Sequence, residues 1–176
     1  MMVTRRRVLG VGGYLAAALL GPATAFGAEP AEVVMQGTPS GSHVWFDPVG
    51  LLVQRGQTVR WTNRDAGNSH TVTAYHPSVF ERPRRIPEGA APWDSGYLLP
   101  GETFSVTFEV EGVYDYYCVP HEHAGMVGRI VVGTPAGEPE QPAADPALAA
   151  LPEVALMSFP PVAEILAAGV VHRSRQ

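Results

Sequence analysis

An all-β sandwich of antiparallel strands, followed by a Pro/Ala-rich C-terminal extension, is the fold predicted by three features of the 176-residue sequence. Between Val33 and Val132, short apolar segments alternate with glycine, proline and Asx turns. No ten-residue window in that region shows a convincing 3.6-residue period. From Thr134 onward Pro135, Pro139, Pro142 and Pro146 punctuate an Ala/Gly/Glu stretch that cannot continue a sheet. About eight strands in about 100 residues, with no helix among them, is the pattern of a sandwich.

The first element is not part of that fold. Arg5, Arg6 and Arg7 stand directly before a mild apolar run, Val8 to Leu20. That run is shorter than the roughly 20 residues a membrane-spanning helix needs. It stops at Gly21-Pro22, and Ala23-Thr24-Ala25 supplies a small-x-small cleavage pattern. Residues 1–28 therefore resemble a twin-arginine signal peptide, cleaved after Ala25, Gly27 or Ala28. The expected location is the periplasm or another extracytoplasmic compartment, with no stable membrane insertion after cleavage.

Residues 29–133 form the predicted domain. Its expected strands are 33–35, 44–46, 51–54, 58–62, 70–75, 103–110, 113–118 and 128–132. The clearest is 103–110, where Phe104, Val106, Phe108 and Val110 alternate with Thr103, Ser105, Thr107 and Glu109. Such a period of two buries one face and leaves the other wet. Gly56-Gln57, Pro100-Gly101 and Glu111-Gly112 supply turns. In the extension, 134–176, one short helix is expected at 162–168, with Pro161 at its start and Gly169 at its stop. The extension either docks on the sandwich or stays mobile.

Charge narrows the function. All twelve cations are arginines and three leave with the signal, so nine face seventeen carboxylates, a net charge near −8. An acidic domain is a poor nucleic-acid binder, because such binding depends on neutralising phosphates. The cluster Arg82, Arg84 and Arg85 reads as a solvated loop. Cys118 is the single cysteine, so no internal disulfide forms despite the oxidising compartment that export implies. A lone thiol there is a buried inert residue, an intermolecular bridge or a metal ligand.

The segment from Tyr114 to Gly128 decides among these. Cys118 is followed three residues on by His121 and eight on by Met126. Fully extended, eight residues would span about 26 Å, so a shared ion requires the chain to fold back. Pro120 fixes one dihedral and Gly125 permits a positive φ, which equips the loop for that return. Asn68-Ser69-His70 places a second imidazole at the start of a strand after an Asx/Gly turn. One thiolate, two imidazoles and a weak axial thioether suit a copper ion that cycles between Cu(I) and Cu(II). Zinc sites use Cys, His and carboxylate, without Met.

The pattern Cys-x-Pro-His-x4-Met-Val-Gly, matched by Cys118, Pro120, His121, Met126, Val127 and Gly128, closely resembles the plastocyanin-like cupredoxins, including the halocyanin type. Gly112-Val113-Tyr114 and Tyr117-Cys118 share that likeness, which covers roughly residues 32–133. The resemblance implies a cupredoxin-like Greek-key sandwich holding one type 1 copper through His70, Cys118, His121 and Met126. It implies outer-sphere electron transfer between redox donor and acceptor proteins by a monomer that is not an enzyme, with the edge of His121 as electron port. A copper chaperone or store is the alternative.

Two departures stand out. Thr71 follows His70 where many relatives have Asn, and His123 is a competing imidazole. His121 and His123, two apart, point to opposite sides on a locally extended chain, and His123 would leave too tight a return to Met126. His43, His76 and His172 are read as non-ligands. Trp45, Trp61, Trp93 and Tyr116 are read as packing.

Overall fold

The computed structural model describes residues 29–135 and 151–173. The leader and the linker prolines Pro139, Pro142 and Pro146 lie outside the described residues. The described chain is mostly β, in two sheets. One sheet has the order β2 (Val44–Asp47), β1 (Ala31–Gly37), β4 (Thr58–Asn63) and β6 (Thr103–Thr107). The other runs β5 (Thr73–Ala74), β7 (Gly112–Tyr117), β8 (Val127–Val132), β3 (Gly50–Val53) and β9 (Val170–Val171). The chain thus changes sheets between β2 and β3. Pairings are antiparallel except β1 with β4 and β3 with β8, which are parallel. Parallel neighbours need long crossovers, and here whole strands of the opposite sheet supply them.

The alternation of β6 does what it promised: Phe104 and Val106 turn inward while Thr103, Ser105 and Thr107 face solvent. Trp61 on β4 is fully buried at the centre, with Tyr116 edge-on at 5.3 Å and Phe108 at 6.4 Å. Such aromatic clusters bury the largest apolar areas in a domain, so truncating Trp61 to alanine should cost about 3–5 kcal/mol.

The expected strand 70–75 is the main shortfall. Only Thr73–Ala74 pairs as a strand, against β7, and His70 makes an isolated bridge to Leu98. The segment's other edge exchanges backbone hydrogen bonds with the irregular stretch 93–98, at His70 with Leu98, Val72 with Ser95 and Ala74 with Trp93, so the pairing stays broken into isolated bridges.

The extension docks, bringing two helices, α1 (Glu153–Ser158) and α2 (Val162–Ala168). Helix α2 has the expected bounds, preceded by Pro161 and closed by Gly169 at φ 75°, whose amide donates to the Ile165 carbonyl at 2.8 Å. Val162 and Ile165 bury against Val131. Gly50 makes room for them, since a Cβ there would sit 2.8 Å from Ile165. Strand β9 then adds antiparallel to β3. Between the helices, Phe159 lies under the guanidinium groups of Arg85 and Arg129, at 5.0 and 5.1 Å. Arg129 also donates to the Pro160 carbonyl at 2.8 Å.

That docking corrects the reading of the arginine cluster. Arg85 donates to Asp115 at 2.8 Å and Arg82 pairs with Glu122, both largely buried. Only Arg84 of the three is exposed. Buried carboxylates on β7 and in the following turn require cations, and this loop supplies them.

Candidate metal centre

Between β7 and β8 the chain turns through Val119–Ala124, a short 3-10 segment capped by Gly125 at φ 75°. A non-glycine residue would be strained at that φ, and its Cβ would meet Ser158 Oγ at 2.7 Å. Three backbone bonds close the loop. The Cys118 amide donates to the Met126 carbonyl at 3.0 Å. His121 N–H reaches the Cys118 carbonyl at 3.0 Å, and Met126 N–H reaches the His121 carbonyl at 3.1 Å. Eight residues of sequence thereby collapse into one compact turn, and Cys118 and Met126 meet just beyond the last paired residues, Tyr117 and Val127.

His70 arrives from the other side of the sandwich end. Its Nδ1 lies 3.2 Å from His121 Nδ1 and 3.6 Å from Cys118 Sγ, and Sγ lies 3.3 Å from His121 Nδ1. Among the described residues, these form the group of His, Cys and carboxylate side chains close enough to share an ion. The point equidistant from the three atoms lies about 2 Å from each, close to metal–imidazole and metal–thiolate bond lengths. Met126 is fully buried beside them. The donor set and its spacing fit a copper ion.

Burial sets the protonation of the metal-free site. It pushes the Cys118 thiol up to about 11, against the lowering effect of hydrogen bonds from Thr71 and His121. Burial likewise holds His70 below the ordinary histidine value, although Asp65 pulls it back up. His121 is lowered by burial and then by His70. At neutral pH the imidazoles are therefore free bases and the thiol keeps its proton, so a metal entering as a thiolate complex displaces one proton.

The sulfur's surroundings answer the question raised by Thr71. The Thr71 backbone amide donates to Cys118 Sγ at 3.3 Å, so this bond does not depend on the side chain. The Thr71 hydroxyl accepts from the Val119 amide at 2.8 Å and donates to Thr73 Oγ1 at 2.9 Å. Thr73 in turn donates to Asp94 at 2.7 Å. A polar chain thus ties the first residue of the ligand loop to the segment that carries His70.

Two further groups were not legible beforehand. Asp65 is 4% exposed and its Oδ2 lies 3.0 Å from His70 Nε2. Burial would raise its pKa, but hydrogen bonds from Asn68, the Gly67 amide and His70 outweigh that and hold it low. The clue was present in Asn63-Arg64-Asp65-Ala66-Gly67-Asn68, an Asx turn five residues before a ligand candidate. Glu122, buried inside the ligand loop, accepts from Tyr75 Oη at 2.8 Å and pairs with Arg82. No spacing rule connects those three positions.

The remaining histidines stay apart. His123 is exposed. His43 contacts Ser42 at 3.0 Å, His76 contacts Ser78 at 2.7 Å and His172 contacts Asp47 at 2.7 Å. Trp61, Trp93 and Tyr116 are buried in the core, as expected for packing.

Residues 32–133 match the family model of copper binding proteins, plastocyanin/azurin family. The chain belongs to this family. Among curated relatives, the chloroplastic plastocyanin of Oryza sativa subsp. indica is 34% identical over 131 residues, covering 74% of this chain and 82% of that protein. The chloroplastic plastocyanin of Tetradesmus obliquus is 35% identical over 115 residues, covering 65% of this chain and 75% of that protein. A solved pseudoazurin from Methylobacterium extorquens AM1 is 27% identical, with a TM-score of 0.44 over 58% of this chain and 75% of its own. This plastocyanin-like cupredoxin accordingly takes copper as its cofactor, one ion per chain.

Proposed function

We propose that His70, Cys118, His121 and Met126 hold that copper, and that the protein carries single electrons between redox partner proteins. The observation that carries this reading is the convergence of two Nδ1 atoms and one Sγ at one point, with His70 and Cys118 buried and His121 half-buried. When bound, copper supplies a one-electron Cu(I)/Cu(II) couple. The chain's part is to keep the donors still. Cys118 is held by the Thr71 amide and the Met126 carbonyl, and His70 by Asp65, so little has to move when charge changes. Met126, buried beside them, would supply a weak thioether donor that tunes the potential. His121, half-buried, offers its ring edge as the route for electrons.

Residues 29–133 constitute the copper domain, 134–176 an extension and 1–28 a twin-arginine leader directing it to an extracytoplasmic compartment. A carrier is favoured over an enzyme because the spare histidines are dispersed on serine and aspartate partners. It is favoured over a store because His70, Cys118 and Met126 are fully buried.

Copper-loaded protein should show an intense visible thiolate-to-copper charge-transfer band and reversible one-electron potentiometry. Cys118→Ser should abolish the band, and a colourless wild type that prefers zinc would refute the reading. Met126→Leu should keep copper and colour while raising the potential; complete loss of copper would contradict a weak-donor role. Replacing Arg5, Arg6 and Arg7 with lysine should leave unprocessed precursor, whereas normal processing would indicate the general secretory route.

A further inference from the structure

Asp65 is a carboxylate that the fold has gone out of its way to bury. It is 4% exposed, and its backbone amide is fixed by Asn63 Oδ1 at 2.9 Å. Its Oδ1 accepts from the Gly67 amide at 2.9 Å, and its Oδ2 accepts from Asn68 Nδ2 at 2.8 Å. Gly37 on β1 leaves the space it fills, since a Cβ there would stand 2.0 Å from Oδ2. Asn63, fully buried, also donates to the Asn68 and Leu98 carbonyls at 2.9 Å, which locks the turn against the strand bridged to His70. What remains for Oδ2 is His70 Nε2 at 3.0 Å.

We propose that Asp65 is a positioning residue of the copper site that lowers the reduction potential through His70. The proposal rests on the type 1 copper reading above. The carboxylate can only accept a hydrogen bond, so it selects the tautomer with Nε2 protonated, whose Nδ1 lone pair faces Cys118 and His121. It also prevents rotation of the ring, because Nε2 has a fixed acceptor on the far side. An anion hydrogen-bonded to an imidazole makes that imidazole a stronger donor, and a stronger donor favours Cu(II) over Cu(I). The hydrogen bond is made to one ligand alone, while His121 feels the carboxylate only through space.

The test is Asp65→Asn in the copper protein, which keeps the shape and an acceptor oxygen but removes the charge. The charge-transfer band should persist. The ratio of Cu(II) to Cu(I) affinity should fall about tenfold, read as a potential higher by about 59 mV. Asn68→Ala removes a loop hydrogen bond to the same oxygen without touching the charge, and its potential should stay near wild type. A potential unchanged in Asp65→Asn, with colour intact, overturns the proposal while leaving the electron-carrier reading standing. So does an equal rise in Asn68→Ala, which would make the effect a matter of loop structure. A colourless wild type would remove both readings together. Independently of any variant's folding, the His70 Nε2 proton of the wild-type Cu(I) protein should exchange with water far more slowly than that of His121. Equal exchange rates would overturn the proposal.

Discussion

His70 and His121 present the same ring nitrogen to the same point, 3.2 Å apart, yet the chain holds them in opposite ways. His70 is fully buried on a segment bridged to Leu98, and a buried carboxylate grips its far nitrogen. His121 sits in a tight turn at a hairpin end, half-buried, with backbone φ −122° that breaks the helical geometry around it. One imidazole is built into the body of the sandwich. The other depends on the loop being closed by Cys118, Met126 and Gly125. The same imidazole chemistry is thus held in two ways, sealed on one side and half-open on the other, and the surrounding hydrogen bonds decide which.

The strongest way to break this contrast is to remove each ring in turn. His121→Gly should lose the charge-transfer band and regain it when free imidazole is added, because the vacated volume opens to solvent. His70→Gly should lose the band without regaining it, since its place is fully buried and closed on the far side by Asp65. Visible titration with imidazole distinguishes the two, and equal rescue of both would erase the asymmetry.

A smaller effect is expected from the brace beneath the loop. Arg82→Met removes the guanidinium that lies over the Tyr75 and Tyr117 rings and leaves Glu122 a buried carboxylate held by Tyr75 alone. Breaking one partner of such a pair typically costs about 3–5 kcal/mol. Chemical denaturation of the metal-free protein should show a loss of that order, and a loss below about 1 kcal/mol would mean that Glu122 finds water instead. The smallest effect should come from His123→Ala, which removes an exposed ring beside the site. Its visible spectrum should match the wild type. Loss of the band there would reassign the loop ligand.

What could be read from the chain alone follows the range of the interactions involved. Alternation in β6, the Pro161 and Gly169 limits of α2 and the Cys118-x-Pro120-His121 spacing are all local patterns. Each survives in the structure because short-range sterics and periodicity dictate it. Helix α1 and strand β9 escaped notice because both are too short to carry a period and exist only by docking onto other elements. The bonds from Asp65 to His70, from Tyr75 to Glu122 and from Thr71 to Val119 join chemically common residues. Nothing in their spacing separates them from solvated polar side chains. The arginine loop was misread for the same reason, since its acidic partners Asp115 and Glu122 lie 30 and 40 residues away in sequence.

The pairings of β3 carry a kinetic consequence. Its neighbours are β8, nearly 80 residues downstream, and β9, about 120 residues downstream. Both flanks of this strand thus wait for late-arriving chain, while its Leu51 and Val53 are buried in the core. During synthesis the strand has no in-register mate until Val127–Val132 emerges, and one backbone edge stays open until Val170–Val171 follows. An unpaired apolar strand is a template for intermolecular pairing. The short terminal strand therefore acts as an edge guard, and slow closure of these distant contacts should set the pace at which the domain becomes resistant to aggregation.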